Sequence, residues 1–339
     1  MKLLLPSIAL VLLSNSARDE IALGYAPADG TVLKRSFEAE AEYHLADLSA
    51  TIDGEAIGRE GELPEDSSSF VERIVVTDTL GAVADGRPTE LVRKFDELSQ
   101  SDASSNGEEE ATSSLESALQ GRSVRFRWDE EAGRYQASAA DDDELDDDVA
   151  TWLAEDMDLR LVLPAHEVEV GDDWELDPKL YLAFMWPSGL LGFHVEGEEA
   201  DESSDSFSRQ TIERLEGTGT ARLEEVRDED GTRVAVLHVE LEVKTGSDSV
   251  VPALEHEGEV VRPELTVEVE IERTVEGTIL WDLEHGHALS AELTCEASRQ
   301  QTRSWTMTGE KDGEEVSVDV EESLLYEGTI RYTASIERE

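Results

Sequence analysis

The sequence predicts a mainly β protein, in which hairpin-connected antiparallel strands form a curved sheet, a half-barrel or a sandwich, with one central helix near residues 145–158. Three observations predict this fold class. Apolar and polar residues alternate with a period of two in many segments, turn sequences separate those segments, and a helical period appears only near the middle of the chain. Strands joined by hairpins pair in opposite directions, so we expect an antiparallel sheet.

Residues 1–16 (MKLLLPSIALVLLSNS) have the features of a secretory signal peptide. Lys2 precedes an apolar run from Leu3 to Leu13, and the small residues Ser14 and Ser16 stand where a cleavage site needs them. The apolar run is too short to span a bilayer, and no cysteine follows it for lipid attachment. We therefore expect an extracytoplasmic protein, periplasmic or secreted, with no membrane span.

A hairpin is predicted in the N-terminal half. Phe70 to Leu80 forms one strand, residues 85–88 (DGRP) form the turn, and Thr89 to Leu98 forms the returning strand. A helix from Thr89 to Ser99 is the competing interpretation. Ser101 to Ser114 is polar and low in complexity, and we expect it to be a mobile linker.

The motif Trp-Asp-x-x-x-Gly occurs twice, at Trp128 to Gly133 and at Trp281 to Gly286. Alternating residues lie on both sides of each copy, so both motifs are predicted to be hairpin turns. Their recurrence is explained either by chance or by duplication of half of the sheet.

The central helix is predicted from an acidic run followed by a helical period. Residues 141–148 (DDDELDDD) place carboxylates at a helix start, where the dipole favours them. Apolar residues then recur at helical spacing at Val149, Trp152, Leu153 and Met157. Pro164 ends the pattern.

The apolar run Tyr181 to Phe193 (YLAFMWPSGLLGF) has two interpretations. Short apolar runs usually complete a core. However, Pro187-Ser188-Gly189 interrupts the run, which would place part of it in a loop at the mouth of the sheet, where exposed apolar surface binds ligands or partners. The residues that this second interpretation assigns to ligand binding are Tyr181, Phe184, Met185, Trp186, Leu190, Leu191 and Phe193.

A domain boundary is predicted at Glu196 to Ser206, which is acidic, rich in serine and without an apolar period. It divides the chain into the signal peptide at 1–16, an N-terminal β lobe at 17–198 and a C-terminal β lobe at 207–339, with one continuous domain as the alternative. The clearest half-buried strand lies beyond the boundary, where Leu265, Val267, Val269 and Ile271 alternate with polar residues.

The chain is strongly acidic, with 81 acidic and 28 basic residues and a formal net charge of -53. Such a field repels phosphate backbones, so nucleic acid is not an expected partner. Adaptation to a salty medium and the base composition of the genome remain alternative explanations.

The chain has one cysteine, Cys295, so an intramolecular disulfide is excluded. Cys295 shares a strand face with Ala291 and Leu293, which predicts a buried small hydrophobic residue.

Residues 85–99 (DGRPTELVRKFDELS) and 163–176 (LPAHEVEVGDDWEL) resemble a group of uncharacterised secreted proteins from planctomycete-type bacteria. The resemblance covers Phe70 to Leu293. It implies an exported, β-rich protein from a family with no assigned activity, and it transfers no catalytic residue.

One histidine-containing turn is a candidate metal site, since a bent turn could bring its carboxylates and imidazoles together. Its candidate ligands are Asp282, Glu284, His285 and His287. The alternation around this turn is already explained by a hairpin with solvated polar residues, so no metal is predicted.

The sequence favours a secreted protein without enzymatic activity that binds a hydrophobic small molecule or an envelope protein. Neither a G-x-S-x-G elbow nor a phosphate-binding glycine-rich loop occurs in it, and no cofactor is predicted. A structural or adhesive envelope protein is the first alternative. A metal-dependent hydrolase that uses the 282–287 turn is the second.

Overall fold

A computed structural model describes residues 20–58, 63–107, 109–141, 144–195, 202–229, 231–256, 259–311 and 314–339. The predicted signal peptide at residues 1–16 lies outside these ranges, as do residues 196–201 of the predicted domain boundary. None of the helices in the described ranges is both long enough and apolar enough to cross a membrane.

Strands dominate the described part of the chain. The strands are β1 Val32–Ile52, β2 Glu55–Ala56, β3 Ser67–Leu80, β4 Val83–Ala84, β5 Arg87–Pro88, β6 Glu90–Ser105, β7 Glu110–Ser117, β8 Ser123–Asp129, β9 Arg134–Ala139, β10 Asp173–Leu176, β11 Phe193–Val195, β12 Glu216–Glu229, β13 Thr232–Val251, β14 Leu254–His256, β15 Glu259–Arg262, β16 Leu265–Asp282, β17 His287–Lys311 and β18 Glu314–Arg338. The helices are α1 Asp147–Trp152, α2 Leu180–Met185 and α3 Glu202–Glu213, and a 3-10 turn covers Arg160–Val162.

Fourteen strands form one antiparallel sheet in the order β10-β12-β13-β16-β17-β18-β1-β3-β6-β7-β11, with β2, β8 and β9 paired off this path. The sheet is open, since β10 and β11 are the two ends of the order. These findings confirm the predicted fold class. The first strand, β1, pairs with the last strand, β18, from Leu33↔Arg338 to Ile52↔Val320, so the sheet continues across the two predicted lobes.

The two faces of the sheet differ sharply in composition. On β17, Ala291, Leu293 and Cys295 are buried, whereas the alternating residues Glu292 and Glu296 are exposed. The burial of Cys295, with 0% of its surface exposed, confirms the sequence prediction. We call the face that carries Cys295 the inner face, and the acidic face the outer face.

Residues 144–195, which we call the central segment, pack against the inner face. Its strand β10 pairs with β12 and its strand β11 pairs with β7, so the segment joins strands at opposite ends of the sheet order. Between these strands, Leu180, Tyr181 and Phe184 of α2 are buried in the main core. The central segment therefore fills the concavity that the curved sheet would otherwise leave open.

The central helix is shorter than predicted. Helix α1 begins after Asp146, whose side chain accepts a hydrogen bond from the Asp148 backbone, and it ends at Trp152 rather than near residue 158. The helix ends early because the backbone after it makes tertiary contacts. Arg93 donates to the carbonyl oxygens of Ala154 (2.9 Å) and Glu155 (2.8 Å), which a continuing helix would use for its own hydrogen bonds. Helix α2 falls in the apolar run for which a core-completing helix or strand is one interpretation, whereas helix α3 is not predicted.

The prediction of a mobile linker at Ser101 to Ser114 is wrong. Strand β6 continues to Ser105, and β7 returns from Glu110 in register with it, from Gln100↔Leu115 to Ser105↔Glu110. The competing helix at Thr89 to Ser99 is also wrong, because residues 90–99 belong to β6. A hairpin end that is solvated on both faces has no apolar alternation, so its sequence resembles a linker.

The two Trp-Asp-x-x-x-Gly motifs form the same turn. The Asp129 carboxylate accepts from the backbone amides of residues 131 (2.9 Å) and 132 (3.0 Å), and Asp282 accepts from those of residues 284 (2.7 Å) and 285 (2.9 Å). Gly133 and Gly286 then adopt φ values of 63° and 66°, in the left-handed region that favours glycine. The predicted hairpin turns are confirmed.

Candidate ligand site on the inner face

A buried network of ion pairs holds the central segment on the sheet. Arg35 of β1 pairs with Asp78 of β3 and with Asp158 of the central segment, and all three side chains are buried. Arg93 of β6 makes a bidentate contact with Asp78 (2.7 and 2.8 Å) and donates to Ser188 Oγ (2.7 Å). Burial would raise the pKa of Asp158, but Arg35 and Arg160 outweigh it and hold the pKa below its usual value. This network is sealed from solvent, so it positions the central segment rather than forming a site.

Helix α2 ends above this network with Met185, whose sulfur lies among three strong hydrogen-bond donors. The Tyr181 hydroxyl lies 3.3 Å from Met185 Sδ, the Tyr332 hydroxyl 3.5 Å, and Arg273 Nη1 2.9 Å. A thioether sulfur is only a weak acceptor. The donors therefore converge on a position that holds no strong acceptor.

Arg273 of β16 is the charged member of this group, and 9% of its surface is exposed. Its Nη2 lies 3.5 Å from the Tyr43 hydroxyl, its guanidinium lies 5.4 Å from the centre of the Tyr181 ring, and its Nε has no hydrogen-bond partner. Among the described residues, no carboxylate oxygen lies within 4.0 Å of its nitrogens. Burial lowers the pKa of Arg273, but Tyr332 and Tyr43 more than offset it, so the group remains charged.

Small residues make room for these long side chains. Across the sheet, Arg273 is opposite Ala297, Ala297 is opposite Gly328, and Gly328 is opposite Tyr43. Arg273 and Tyr43 can thus meet over two strands that have almost no side chain at this level. The next residue in the row beyond Tyr43 is Ser68, which is also small.

Further along the strands, the inner face is partly accessible and mixed in character. Tyr326 is half-buried and lies opposite Arg299, which is exposed. Desolvation of the Arg299 guanidinium, which is only partly open to solvent, lowers its pKa, and so do the nearby charges of Arg303 and Arg273. The apolar side chains at this level are Leu45, Val269, Ile271 and Leu324, all buried yet separate from the main core.

Glu72 lies on the inner face near Tyr332, beside a void of about 10 Å³ that Phe184 and Pro187 also line. This void is too small for anything larger than a water molecule. Burial, together with the nearby Asp102, raises the pKa of Glu72 to about 7. The side chain is therefore largely protonated in mildly acidic solution.

The seven residues predicted to bind a ligand fall into two groups. Tyr181, Phe184 and Leu191 are buried in the main core. Met185, Trp186, Leu190 and Phe193 are half-buried. Of the seven, Tyr181 and Met185 belong to the donor cluster, and the role of all seven in ligand binding stays a prediction.

Several polar groups of the turn at residues 282–287 form hydrogen bonds within the turn. Asp282 Oδ2 contacts His285 Nδ1 (2.7 Å), and its other oxygen accepts from two backbone amides of the turn. His287 is buried with Nδ1 2.7 Å from its neighbour's carbonyl oxygen, and Glu284 is exposed. Within the described ranges, no group of three or more potential metal ligands is close enough to hold an ion.

A surface groove of about 960 Å³ lies on the outer face. Exposed glutamates and threonines form most of its walls, and Lys244 within it is already paired with Glu272. Arg273 also contributes to its lining, but the acidic side chains of the groove are solvated. The inner face is therefore the better candidate site.

Sequence reasoning missed Arg273 and Tyr43, although a signal for Arg273 was present. Arg273 continues the alternation of Val269 and Ile271 and precedes Val275 at the same spacing, which places a charged residue at an apolar position. Such a break in the pattern marks a buried charge that needs a partner. Its partners could not be found in this way, since they depend on which strands pair.

No protein-family model matches the chain, and no curated protein matches it either. Solved structures match over most of the chain but superpose poorly. They include an outer membrane channel from Pseudomonas putida F1 (7% identity, covering 92% of this chain and 97% of that chain, TM-score 0.20), a loop-deletion mutant of OmpT, an outer membrane protein of Vibrio cholerae (10%, 91% and 100%, 0.13), and the deltaS2 mutant of the TodX monoaromatic hydrocarbon channel (8%, 91% and 90%, 0.15). TM-scores this low do not establish a common fold, so these likenesses carry no conclusion about this chain.

Proposed function

We propose that this protein is a non-enzymatic binding protein of the cell envelope or the extracellular medium, which holds a small apolar molecule on the inner face beyond α2. The observation that carries the proposal is the accessibility of large apolar side chains there. Four aromatic side chains lie on the inner face by their strand register, yet each is only half-buried. They are Tyr43, Phe70, Tyr326 and Trp305. Accessible aromatic surface on one face of a sheet is typical of ligand and partner sites.

The extracytoplasmic location rests on the sequence. Residues 1–16 have the pattern of a signal peptide, and residues 85–99 and 163–176 resemble secreted proteins. N-terminal sequencing of the exported protein should begin at Ala17. A soluble exported product that retains residues 1–16 would contradict this assignment.

A titration with the neutral apolar fluorophore N-phenyl-1-naphthylamine tests the binding proposal. We expect saturable binding to the wild-type protein, and an affinity at least about fivefold lower for Phe70→Ala, because that ring lies half-buried on the inner face. The matched control is Val71→Ala. Val71 is the next residue of β3, points to the outer face and is 43% exposed, so its loss should leave the affinity unchanged.

Absence of saturable binding would overturn the proposal. Equal loss of affinity in Phe70→Ala and Val71→Ala would also contradict it, because a probe that responds to both faces is binding nonspecifically. Circular dichroism on each variant establishes that the fold is retained.

A further inference from the structure

Three donor groups surround one weak acceptor at the end of α2. The hydroxyls of Tyr181 and Tyr332 and one nitrogen of Arg273 lie within 3.5 Å of Met185 Sδ, and a second nitrogen of Arg273 donates to the Tyr43 hydroxyl at 3.5 Å. We call Arg273, Tyr43, Tyr181 and Tyr332 the donor cluster. A thioether can satisfy none of these groups well, because sulfur accepts hydrogen bonds only weakly. The geometry is that of a site for oxygen atoms.

The positive charge of Arg273 also lacks a partner of opposite charge among the described residues. Buried guanidinium groups are normally paired with carboxylates, as Arg35 and Arg93 are in this same sheet. The chain has 81 acidic residues, yet among the described residues none forms an ion pair with Arg273. The Nε atom of Arg273 has no hydrogen-bond partner. A buried cation without a counterion is stabilised when a ligand supplies the missing negative charge.

We infer that the donor cluster binds the anionic oxygens of the ligand, so that the ligand is an apolar molecule with an acidic head group. This inference rests on the proposed function and names the chemical class of its ligand. Met185 Sδ occupies the position that the head group would take. Its unbranched, flexible side chain can turn aside when a carboxylate or phosphate enters.

The surrounding residues fit such a ligand. Arg299 lies diagonally across from Arg273, on the neighbouring strand, and adds a second positive charge close to the cluster. The apolar side chains of Ile271 and Leu45 lie in the same row of the inner face as Arg299, and that of Val269 lies in the next row, so an apolar tail would extend along them. The outer face is acidic, which directs an anionic molecule to the inner face.

The test compares cis-parinaric acid with its methyl ester at about pH 8, where the free acid is ionised. We expect the wild-type protein to bind the acid at least about tenfold more tightly than the ester. In Arg273→Met the affinity for the acid should fall at least about tenfold while the affinity for the ester stays within about twofold. Tyr332→Phe should weaken acid binding several-fold, because it removes one donor and keeps the ring.

The matched control is Arg331→Met. Arg331 lies on the outer face of β18 and pairs with Glu40 (3.4 Å). The Arg331→Met variant therefore also loses one positive charge, but this charge is not near the donor cluster. It should bind acid and ester as the wild type does. Equal affinity of the wild type for acid and ester, or equal losses in both arginine variants, would overturn the inference. If neither parinarate nor its ester nor the neutral naphthylamine binds, the proposed function fails as well, so the two failures are distinguishable.

Thermal stability supplies an independent readout. Parinaric acid should raise the melting temperature of the wild type and leave that of Arg273→Met unchanged. Without ligand, Arg273→Met should be at least as stable as the wild type, because an unpaired buried charge is replaced by an apolar side chain of similar length. A large loss of stability, with unchanged discrimination between acid and ester in the folded fraction, would assign Arg273 a purely structural role and contradict the inference.

Competition identifies the source of the anion. Displacement of parinarate by millimolar inorganic phosphate would indicate that an oxyanion alone suffices. Displacement only by long-chain acids would indicate that the tail is required, and both outcomes support an anion site at the donor cluster. No displacement by any anion would count against the site.

Discussion

Arg35 and Asp158 form a fully buried ion pair although 123 residues separate them in the sequence. Arg35 stands on the first strand of the sheet, and Asp158 stands on the central segment. Their contact, together with Asp78 and Arg93, fixes the level at which α2 lies above the sheet. The position of Met185, and hence of the donor cluster, depends on this pair.

Removing one partner of this pair should be costly. We expect Asp158→Asn to lower the free energy of unfolding by about 3 to 5 kcal/mol, because it leaves the Arg35 guanidinium buried with one carboxylate instead of two. Denaturant unfolding measures the change. The control is Glu40→Gln, whose exposed pair with Arg331 should contribute no more than about 1 kcal/mol. Equal effects of the two substitutions would contradict the role of the network.

Gly189 allows two parts of the central segment, around residues 153 and 189, to approach each other closely. Replacing Gly189 should therefore be destabilising. Its φ is 88°, and it bridges to Leu153, so an added Cβ would collide with the carbonyl oxygen of Trp152 and lie 2.7 Å from the backbone nitrogen of Ala154. We expect Gly189→Ala to cost about 3 kcal/mol or more in unfolding free energy. Gly30 has a similar φ of 78° but open space around its Cβ position. Gly30→Ala should therefore cost only about 1 to 2 kcal/mol, and the difference between the two variants isolates the steric contribution.

Glu72 should make the stability of the protein fall as the pH rises. Its pKa is about 7 in the folded protein against an ordinary value of 4.5, so the unfolded chain loses this proton first. The contribution of Glu72 is complete below pH 4.5 and is lost as the pH rises through 7. Glu72→Gln should reduce the decline between pH 4.5 and 8 by about 1 to 3 kcal/mol.

Part of the decline should persist in that variant, because burial also raises the pKa of Glu155 to about 7. The control is Glu292→Gln, which removes an exposed carboxylate from the outer face of β17 and should leave the pH dependence unchanged. A Glu72→Gln profile parallel to the wild type would show that Glu72 is ionised in the folded state.

Salt should stabilise the fold. On one row of the outer face, threonine and glutamate alternate across six strands, and the exposed glutamates of this row are Glu242, Glu296 and Glu42. Carboxylates two strands apart are separated by about 9.6 Å, a distance that ~0.1 M salt screens partly and ~1 M salt screens almost fully. The melting temperature should therefore rise with sodium chloride. It should rise less in the triple glutamine variant of this row, and an unchanged rise would assign the effect to other charges.

Local patterns in the sequence predicted the strands and turns but not which strands pair with each other. The alternation from Leu265 to Ile271 and the two Trp-Asp-x-x-x-Gly turns are local features, and the structure confirms them. Arg35, Asp78 and Arg93 each stand at an apolar position of an alternating strand, so their burial was detectable from the sequence. Their pairing with one another and with Asp158 was not. It depends on register between distant strands and on the path of the central segment, which local periodicity does not specify.

The pairing of the first strand with the last has a consequence for when the protein can fold. Leu33 of β1 faces Arg338 of β18, so two strands that lie far apart in the sequence meet in the middle of the sheet. Until β18 is available, one edge of β1 has no partner, and pairing the two strands closes a loop of about 300 residues, which makes folding slow. During that interval the edge of β1 exposes unpaired backbone groups to which another extended chain can add, so β18 protects the folding protein from intermolecular strand pairing.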